Sequence, residues 1–186
     1  MRARPTFRYV AFLRGINVGG NKLIKMEELR RVIEGPGFAN VRTFIASGNL
    51  IFDSAETDAS VLARKIERIL LKAFGHEIAV VVIALPALAL MVRSNPFRPE
   101  DRTGDVMLCV VFFTADPPKL KLPIESLTDN LSVFAVRNRT AFVVCRRKKS
   151  GWFGFPNNFV EEQFGVTATT RQWRTVEKIV TSARGD

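Results

Sequence analysis

The order in which strand-type and helix-type segments follow one another constrains this chain more than any other feature of its sequence. In the first half, short apolar runs alternate with segments whose apolar residues recur at helical spacing. The order is strand, helix, strand, strand, helix, strand, which is the split βαβ arrangement of ferredoxin-like folds. The sequence therefore predicts an α+β protein whose first subdomain is ferredoxin-like, with an antiparallel sheet. Its predicted elements span residues 7–13, 25–34, 41–46, 50–53, 61–74 and 78–83.

The second half of the chain has weaker periodicity and predicts a second α+β subdomain. A short helix over residues 86–93 leads into a connection rich in Pro and Gly, residues 95–104. We therefore expect two domains, residues 1–84 and 85–186, of which the second is a related α/β sandwich with a C-terminal helix. Its predicted elements are a strand at 106–113, a short helix near 124–128, a hairpin of 131–137 and 141–145 turning at Asn138, a helix near 157–164, and a final helix with Thr170 as N-cap and Arg171 in its first turn.

The predicted topology brings two loops rich in Gly and Asn together. The first, residues 14–22, has the sequence R-G-I-N-V-G-G-N-K, and the second, residues 47–49, has the sequence S-G-N and turns a hairpin. A right-handed crossover makes the first two strands parallel with the third strand between them, so both loops leave the same end of the sheet. We expect His76 at the opposite end, as a surface residue.

The first loop has the chemistry of an anion site. Its glycines can expose backbone N–H groups, the helix that follows presents an N-terminus that favours negative charge, and Arg14 and Lys22 add cations. It is not a P-loop, because neither Ser nor Thr follows Lys22. Arg171 joins the candidates because a cation in the first turn of a helix opposes the helix dipole, a cost that a bound anion would offset. The predicted ligand-binding residues are Arg14, Gly15, Asn17, Gly19, Gly20, Lys22, Ser47, Gly48, Asn49 and Arg171.

A structural interpretation of the same residues stands beside the functional one. Glycines and asparagines are also the residues that tight turns with positive φ require. In that interpretation the two loops contain them only to turn the chain, and no ligand is implied.

The excess of positive charge favours anionic partners. The chain has 28 Lys and Arg against 18 Asp and Glu, a net charge of +10. Such a charge fits a phosphorylated small molecule or nucleic acid, and it also fits a solvated surface with no partner. The leading hypothesis is a small module that binds an anionic, phosphorylated ligand at residues 14–22 and 47–49.

Three other functions remain open. Nucleic acid could bind a basic surface that includes Arg137, Arg139 and the run 146–149, which the aromatic segment W-F-G-F follows. An enzyme could act on a phosphorylated small molecule at the two loops. The same loops could also form only a protein interface.

The remaining features indicate no metal, membrane span or reaction. Cys109 and Cys145 lie in apolar strand-type runs, where we expect buried thiols of a reducing cytosol, and a single histidine leaves a structural zinc site short of ligands. The apolar runs are too short or too broken to span a bilayer, and the N-terminus does not resemble a secretory signal. We therefore expect a cytoplasmic protein. The sequence assigns no reaction, cofactor or oligomeric state.

Several motifs together resemble a known bacterial family. They are Y-V-A-F-L-R-G-I-N-V-G-G-N-K with Met26 and Leu29, V-R-T-F-I-A-S-G-N-L-I-F, Phe74-Gly75, N-P-F at 95–97, and the closing T-T-R-Q-W-R-T-V. Over nearly its whole length the chain resembles the uncharacterised proteins of domain of unknown function family number 1697. The resemblance implies two linked α+β subdomains, the first ferredoxin-like, and brings no activity, cofactor or catalytic residue. Its patterned positions fall on Arg14, Gly15, Asn17, Gly19, Gly20, Ser47, Gly48, Asn49, Arg171 and Trp173, and at Gln172 the family more often has asparagine.

Overall fold

The chain is divided by its own packing into two compact units. The computed structural model describes residues 5–17, 23–98, 101 and 104–185. The first unit is Met1–Leu90 with Ser182–Asp186, and the second is Met91–Thr181. A division into domains between residues 84 and 85 stays a prediction.

The first unit contains the predicted ferredoxin-like arrangement. Its four strands form one antiparallel sheet. Their order across the sheet is β2 (Ala39–Thr43), β3 (Asn49–Ser54), β1 (Phe7–Leu13) and β4 (Val80–Ala84), so β1 and β3 are central. This order confirms the α+β class and the split βαβ topology of the first subdomain. The elements are β1 (Phe7–Leu13), α1 (Met26–Ile33), β2 (Ala39–Thr43), β3 (Asn49–Ser54), α2 (Ala59–Phe74) and β4 (Val80–Ala84), and α3 (Leu85–Ser94) follows them.

Apolar residues at helical spacing cover one face of this sheet. In α2 the residues Leu62, Ile66 and Leu70 are fully buried and pack in the same core as the strands. The helix begins at Asp58, whose carboxylate accepts the Ser60 and Val61 N–H groups at 2.7 and 3.4 Å. These backbone bonds, first the one from Ser60, hold the pKa of Asp58 below its ordinary value.

The second unit has a separate five-stranded antiparallel sheet. Its strand order is β6 (Ile124–Ser126), β7 (Leu131–Arg137), β8 (Thr140–Arg146), β5 (Val106–Phe113) and β9 (Ala168–Gln172). Asn138 and Arg139 at positive φ, 46° and 57°, turn β7 into β8, which is the geometry of a two-residue hairpin loop. The predicted hairpin and the helix at 157–164 are confirmed. The elements are β5 (Val106–Phe113), β6 (Ile124–Ser126), β7 (Leu131–Arg137), β8 (Thr140–Arg146), α4 (Asn157–Phe164), β9 (Ala168–Gln172) and α5 (Trp173–Arg184).

Two predicted elements of the second half are wrong. Residues 124–126 form the edge strand β6, because they pair with the start of β7 instead of closing a helical turn. Thr170 and Arg171 lie in β9, opposite Val111 and Val110 of β5, and α5 begins only at Trp173. The β-branched run of threonines suits a strand, and the Thr170 hydroxyl donates to Asn157 Oδ1 at 3.0 Å instead of capping a helix. Arg171 therefore does not lie in the first turn of a helix, and no helix dipole opposes its charge.

Both cysteines are free thiols in the core of the second unit, where each is fully buried. The hydrogen bond with the Cys145 thiol and, after it, burial raise the pKa of the Cys109 thiol well above its ordinary value. Low thiolate content and burial both oppose reaction with solvent oxidants. Across the described ranges, no helix has the length and hydropathy to cross a membrane.

Candidate functional site

Three connections of the first unit meet at one end of its sheet. The backbone N–H of Leu13 donates to the Gly48 carbonyl oxygen at 2.8 Å, which joins the end of β1 to the β2–β3 turn. The backbone N–H of Arg14 donates to the Ala79 carbonyl oxygen at 2.9 Å, which joins it to the segment before β4. We call the described residues Arg14–Asn17 and Ser47–Asn49 the loop edge. The adjacency of the two loops thus holds for every part of them that the structure describes.

The same topology corrects the expected place of His76. Strand β4 runs antiparallel to β1, and Val80 is opposite Leu13. Because α2 returns the chain to the end where β1 finishes, the segment 75–79 lies at the loop edge and not at the far end of the sheet. His76 is exposed there.

Asn17 holds the two loops together. Its side-chain N–H groups donate to the carbonyl oxygens of Ile24 (3.0 Å) and Ala46 (2.9 Å), and its Oδ1 accepts the Ile24 N–H at 2.8 Å. The amide nitrogen thereby uses both its protons on the backbone. Asn17 has φ +54°, a conformation that asparagine tolerates better than most residues. A role for Asn17 in orienting a ligand stays a prediction, whereas its structural role is visible.

The β2–β3 turn is closed in a similar way by Asn49. This fully buried side chain donates to the Phe44 carbonyl oxygen at 2.9 Å and to the Ser47 hydroxyl at 3.1 Å. Gly48 has φ +77°, and a Cβ on it would lie 2.7 Å from side-chain atoms of Ile16. Only glycine fits this position without a shift of the first loop.

Gly15 differs from Gly48 in its surroundings. It also has a positive φ, +66°, but it is exposed, and no described residue lies within 4 Å of a Cβ built on it. Its backbone N–H makes no hydrogen bond to any residue of the ranges 5–17, 23–98, 101 and 104–185. The neighbouring Arg14 is half-buried. A donor with open space in front of it, beside a cation, is the local geometry that an anion can use.

The remaining predicted residues of the first loop, Gly19, Gly20 and Lys22, lie outside the described residues. Helix α1, which follows, presents Lys25 at its N-cap position and two exposed carboxylates, Glu27 and Glu28, in its first turn. These carboxylates already complement the helix dipole, so the N-terminus of α1 attracts an anion less than the sequence suggests.

Arg171 is a buried residue of the second unit. Only 7% of it is exposed, and burial lowers the pKa of its guanidinium to about 10. Nη1 donates to the Thr169 hydroxyl at 2.9 Å and to the Thr170 carbonyl oxygen at 2.7 Å. These bonds hold the guanidinium against its own strand, and a ligand-binding role stays a prediction.

The predicted basic surface divides into two places. Arg137 and Arg139 are at the turn end of β8, and the run 146–149 is at its other end, roughly 20 Å away for a strand of this length. Several of these cations have carboxylate partners: Arg139 binds Asp116 through two bonds of 2.7 and 2.9 Å, Arg147 binds Asp105 at 3.0 Å, and Lys148 binds Asp129 at 2.8 Å. The candidate cations of this hairpin therefore lie in two groups, and a role for them in binding nucleic acid stays a prediction.

Two features of the second unit escape the sequence. One is the exposure of Trp152 and Phe155, 78% and 61%, because the sequence marks the segment W-F-G-F as a possible stacking surface but does not decide between solvent and core for its rings. A cavity also opens beside Trp173, between residues that come from four separate segments. No sequence pattern connects those segments, so only the folded chain shows the cavity. Among the described residues, no group of His, Cys, Asp and Glu could hold a metal ion.

Comparison with other proteins gives a family and a fold. No protein of curated function matches the chain significantly. The conserved bacterial protein SP0830 from Streptococcus pneumoniae has the same fold: its structure superposes with a TM-score of 0.70 over 97% of this chain and 100% of that one, at 18% identity. The family model described as protein of unknown function (DUF1697) matches residues 7–142, and the closing motif at 167–176 lies beyond the match. The chain therefore belongs to this family of proteins of unknown function, DUF1697.

Proposed function

We propose that the loop edge binds an anionic small molecule that carries a phosphate group. The observation behind the proposal is Gly15, an exposed glycine at positive φ with open space above it and an N–H that no described residue accepts. Glycine allows a ligand to approach the backbone more closely than any other residue. A phosphate oxygen is the acceptor that such an N–H lacks.

Charge at the same place supports an anion. Arg14 precedes Gly15, Lys25 follows the Ile24 backbone that Asn17 binds, and His76 belongs to the segment that Arg14 contacts. The three cationic or titratable side chains come from three segments of chain that meet at one end of the sheet. A phosphate there would receive charge-assisted hydrogen bonds, which are stronger than neutral ones.

The test compares two variants of equal charge. Arg14→Ala removes a cation of the loop edge, and Arg31→Ala removes an exposed cation from the last turn of α1, at the other end of that helix. Both variants and the native protein are heated with phosphate, sulfate, sugar phosphates and nucleotides, since a ligand of the folded state raises the melting temperature by mass action. A phosphorylated ligand should stabilise the native protein and Arg31→Ala.

Arg14→Ala should bind that ligand roughly 10-fold to 100-fold more weakly, the value of one charge-assisted hydrogen bond. Equal ligand shifts in the two variants would contradict the proposal, because the anion would then respond to net charge alone. An absence of any shift in the native protein would leave the loops with only their turn-forming role.

A second candidate function, the binding of single-stranded nucleic acid, has one observation in its favour. Trp152 and Phe155 present aromatic rings to solvent on the segment between β8 and α4, near the exposed cations Arg146 and Lys149. Single-stranded nucleic acids bind by stacking bases on such rings while cations contact the phosphates. The site is small, because Arg147 and Lys148 of the same run are bound to carboxylates.

The test for this candidate uses a labelled single-stranded oligonucleotide at several salt concentrations. Trp152→Ala should weaken binding by roughly 5-fold to 150-fold, the range measured for one stacked base. Leu127→Ala is the control, since Leu127 is 92% exposed in the same unit but is not aromatic. Binding that is absent at low salt, or that both variants weaken equally, would exclude the candidate.

A further inference from the structure

We infer that the cavity beside Trp173 is a binding site for a nucleobase. The cavity belongs wholly to the second unit and has a volume of about 620 Å³. Volumes of this order are typical of small-molecule sites, which join apolar walls to a few polar groups. The lining residues that carry the inference are Asp101, Met107, Phe153, Gln172, Trp173 and Glu177.

One part of the lining is aromatic and held in place. The Arg147 guanidinium lies over the Phe153 ring, 4.8 Å from its centre, so the ring is fixed by its neighbour. The Trp173 indole is fixed by an edge contact with Phe97, whose ring centre is 5.2 Å away. The Met107 thioether adds a polarisable surface. Such a lining favours a flat, unsaturated ring over a flexible ligand.

The polar part of the lining matches the edge of a base. Gln172 offers a primary amide, which can donate and accept side by side and so pair with the donor and acceptor of a base edge. Among the described residues, its Nε2 donates to the Met107 sulfur alone, at 3.4 Å, which is a weak acceptor that a base could replace. The Asp101 carboxylate accepts the Arg98 N–H through Oδ2 at 3.3 Å and has further capacity to accept an amino group.

Charge decides which portion of a ligand enters. Among the described residues of the lining, the ionisable ones are two carboxylates, Asp101 and Glu177, and one cation, Arg174. A phosphate is therefore disfavoured inside, whereas a neutral ring with an exocyclic amine is favoured. This preference is opposite to that of the loop edge, so we expect the two sites to select different chemical groups.

The indole N–H of Trp173 provides a second, independent observation. The nitrogen is buried and has no hydrogen-bond acceptor within the described part of the chain. Buried donors in native proteins are nearly always paired, so this donor calls for a partner other than the described residues. Acceptor atoms of a base next to the ring are a partner of this kind, after a small movement of the side chain.

The experiment follows the indole N–H signal of Trp173 by NMR. The chain has two tryptophans, and Trp152→Phe leaves Trp173 as the single indole reporter without disturbing the cavity, because Trp152 is exposed. The labelled variant is titrated with the monophosphates of adenosine, cytidine, guanosine and uridine, and with ribose 5-phosphate, which lacks a base. At least one nucleotide with an exocyclic amine should shift the Trp173 signal to saturation, and ribose 5-phosphate should not.

Two further variants separate this site from the loop edge. Gln172→Ala, at an exposed position, should raise the dissociation constant roughly tenfold, as for one base-edge contact. Arg14→Ala should leave the shift of the Trp173 signal with nucleotide unchanged. The cavity proposal can therefore hold even if the loop edge binds no phosphate. A short oligonucleotide, titrated in parallel, shows whether the base comes from a free nucleotide or a strand. A flat Trp173 signal with all four nucleotides and the oligonucleotide, or an equal response to ribose 5-phosphate, would overturn the inference.

Discussion

Replacing each of two glycines of the loop edge with alanine separates backbone conformation from steric fit. Gly15 and Gly48 have almost the same φ, +66° and +77°, so Gly→Ala forces an L side chain into the left-handed region at both. That conformation costs about 1–2 kcal/mol. At Gly15 no steric cost is added by the residues that the structure describes, since none of their atoms lies within 4 Å of the new Cβ.

At Gly48 the new methyl group also collides with the core. The Cβ would lie 2.7 Å from Ile16 Cδ1 and Cγ1 and 3.0 Å from Leu13 Cβ. Ile16 is 1% exposed and Leu13 is fully buried, so neither can turn into solvent to make room. Overpacking of this kind typically costs about 1–3 kcal/mol. We therefore expect Gly48→Ala to lower the free energy of unfolding by about 2–5 kcal/mol and Gly15→Ala by about 1–2 kcal/mol.

Urea denaturation followed by far-ultraviolet circular dichroism measures both losses. Both tryptophans are in the second unit, so their fluorescence, recorded in parallel, shows whether the second unit unfolds separately. Equal losses of unfolding free energy in the two variants would refute the steric argument. A larger loss in Gly15→Ala would show that the space beside Gly15 is not open.

Three further predictions follow from the contacts of single residues. Asn17→Ala should lower the free energy of unfolding by about 1–3 kcal/mol, because it leaves the Ile24 N–H and the carbonyl oxygens of Ile24 and Ala46 without a partner; an unchanged melting temperature would contradict this. Asp53 accepts hydrogen bonds from Arg8 (2.8 and 3.1 Å) and Asn40 (2.8 Å), and the bonds from Arg8 are the first cause that holds its pKa below the ordinary value. The contribution of Asp53 to stability should therefore be present above about pH 4 and fade as the pH falls through the lower pKa of the folded state. Asp53→Asn should remove that part of the pH dependence. The free energy of unfolding of both proteins, measured at a series of acid pH values, checks this. Cys109 and Cys145 should react with a thiol reagent only after denaturation, and rapid reaction in the native protein, measured by absorbance, would show that the second core opens.

The features that the sequence predicts best are those governed by local periodicity. The helix stripe of Leu62, Ile66 and Leu70 and the hairpin turn at Asn138 each follow from a few neighbouring residues, and the structure contains both. The order of the elements then determines which loops meet, so the adjacency of Arg14 and Gly48 needs no knowledge of side-chain contacts.

The errors arise where pairing across the sheet overrides local pattern. Residues 124–126 have no strand signature of their own, yet they pair with the start of β7. Thr170 belongs to a short β-branched run that pairs with β5, although its residue type also suits a helix N-cap. The expected place of His76 is wrong for a different reason. The topology is as predicted, but α2 runs toward the end of the sheet where β1 finishes, so the segment after α2 lies beside the first loop. The cavity beside Trp173 depends on tertiary packing of residues such as Asp101 and Phe153, which no sequence interval relates.

The structure also changes the weight of the residues that the resemblance to the family singles out. Asn17, Gly48 and Asn49 each have a structural explanation. Asn17 joins the two loops by donating to the Ala46 carbonyl oxygen, and Asn49 closes the β2–β3 turn by donating to the Phe44 carbonyl oxygen. Gly48 is too close to Ile16 for any side chain. Gly15 has no such contact with a described residue: its φ suits glycine, but nothing in the described ranges fills the space beside it. If folding were the whole reason for this loop, asparagine at position 15 would be tolerated, because it adopts positive φ at modest cost. Gly15→Asn should therefore keep the stability of the native protein within about 1 kcal/mol and lose phosphate-ligand binding, because its side chain would fill the space that the ligand needs. Retained binding would mean that the ligand does not approach Gly15.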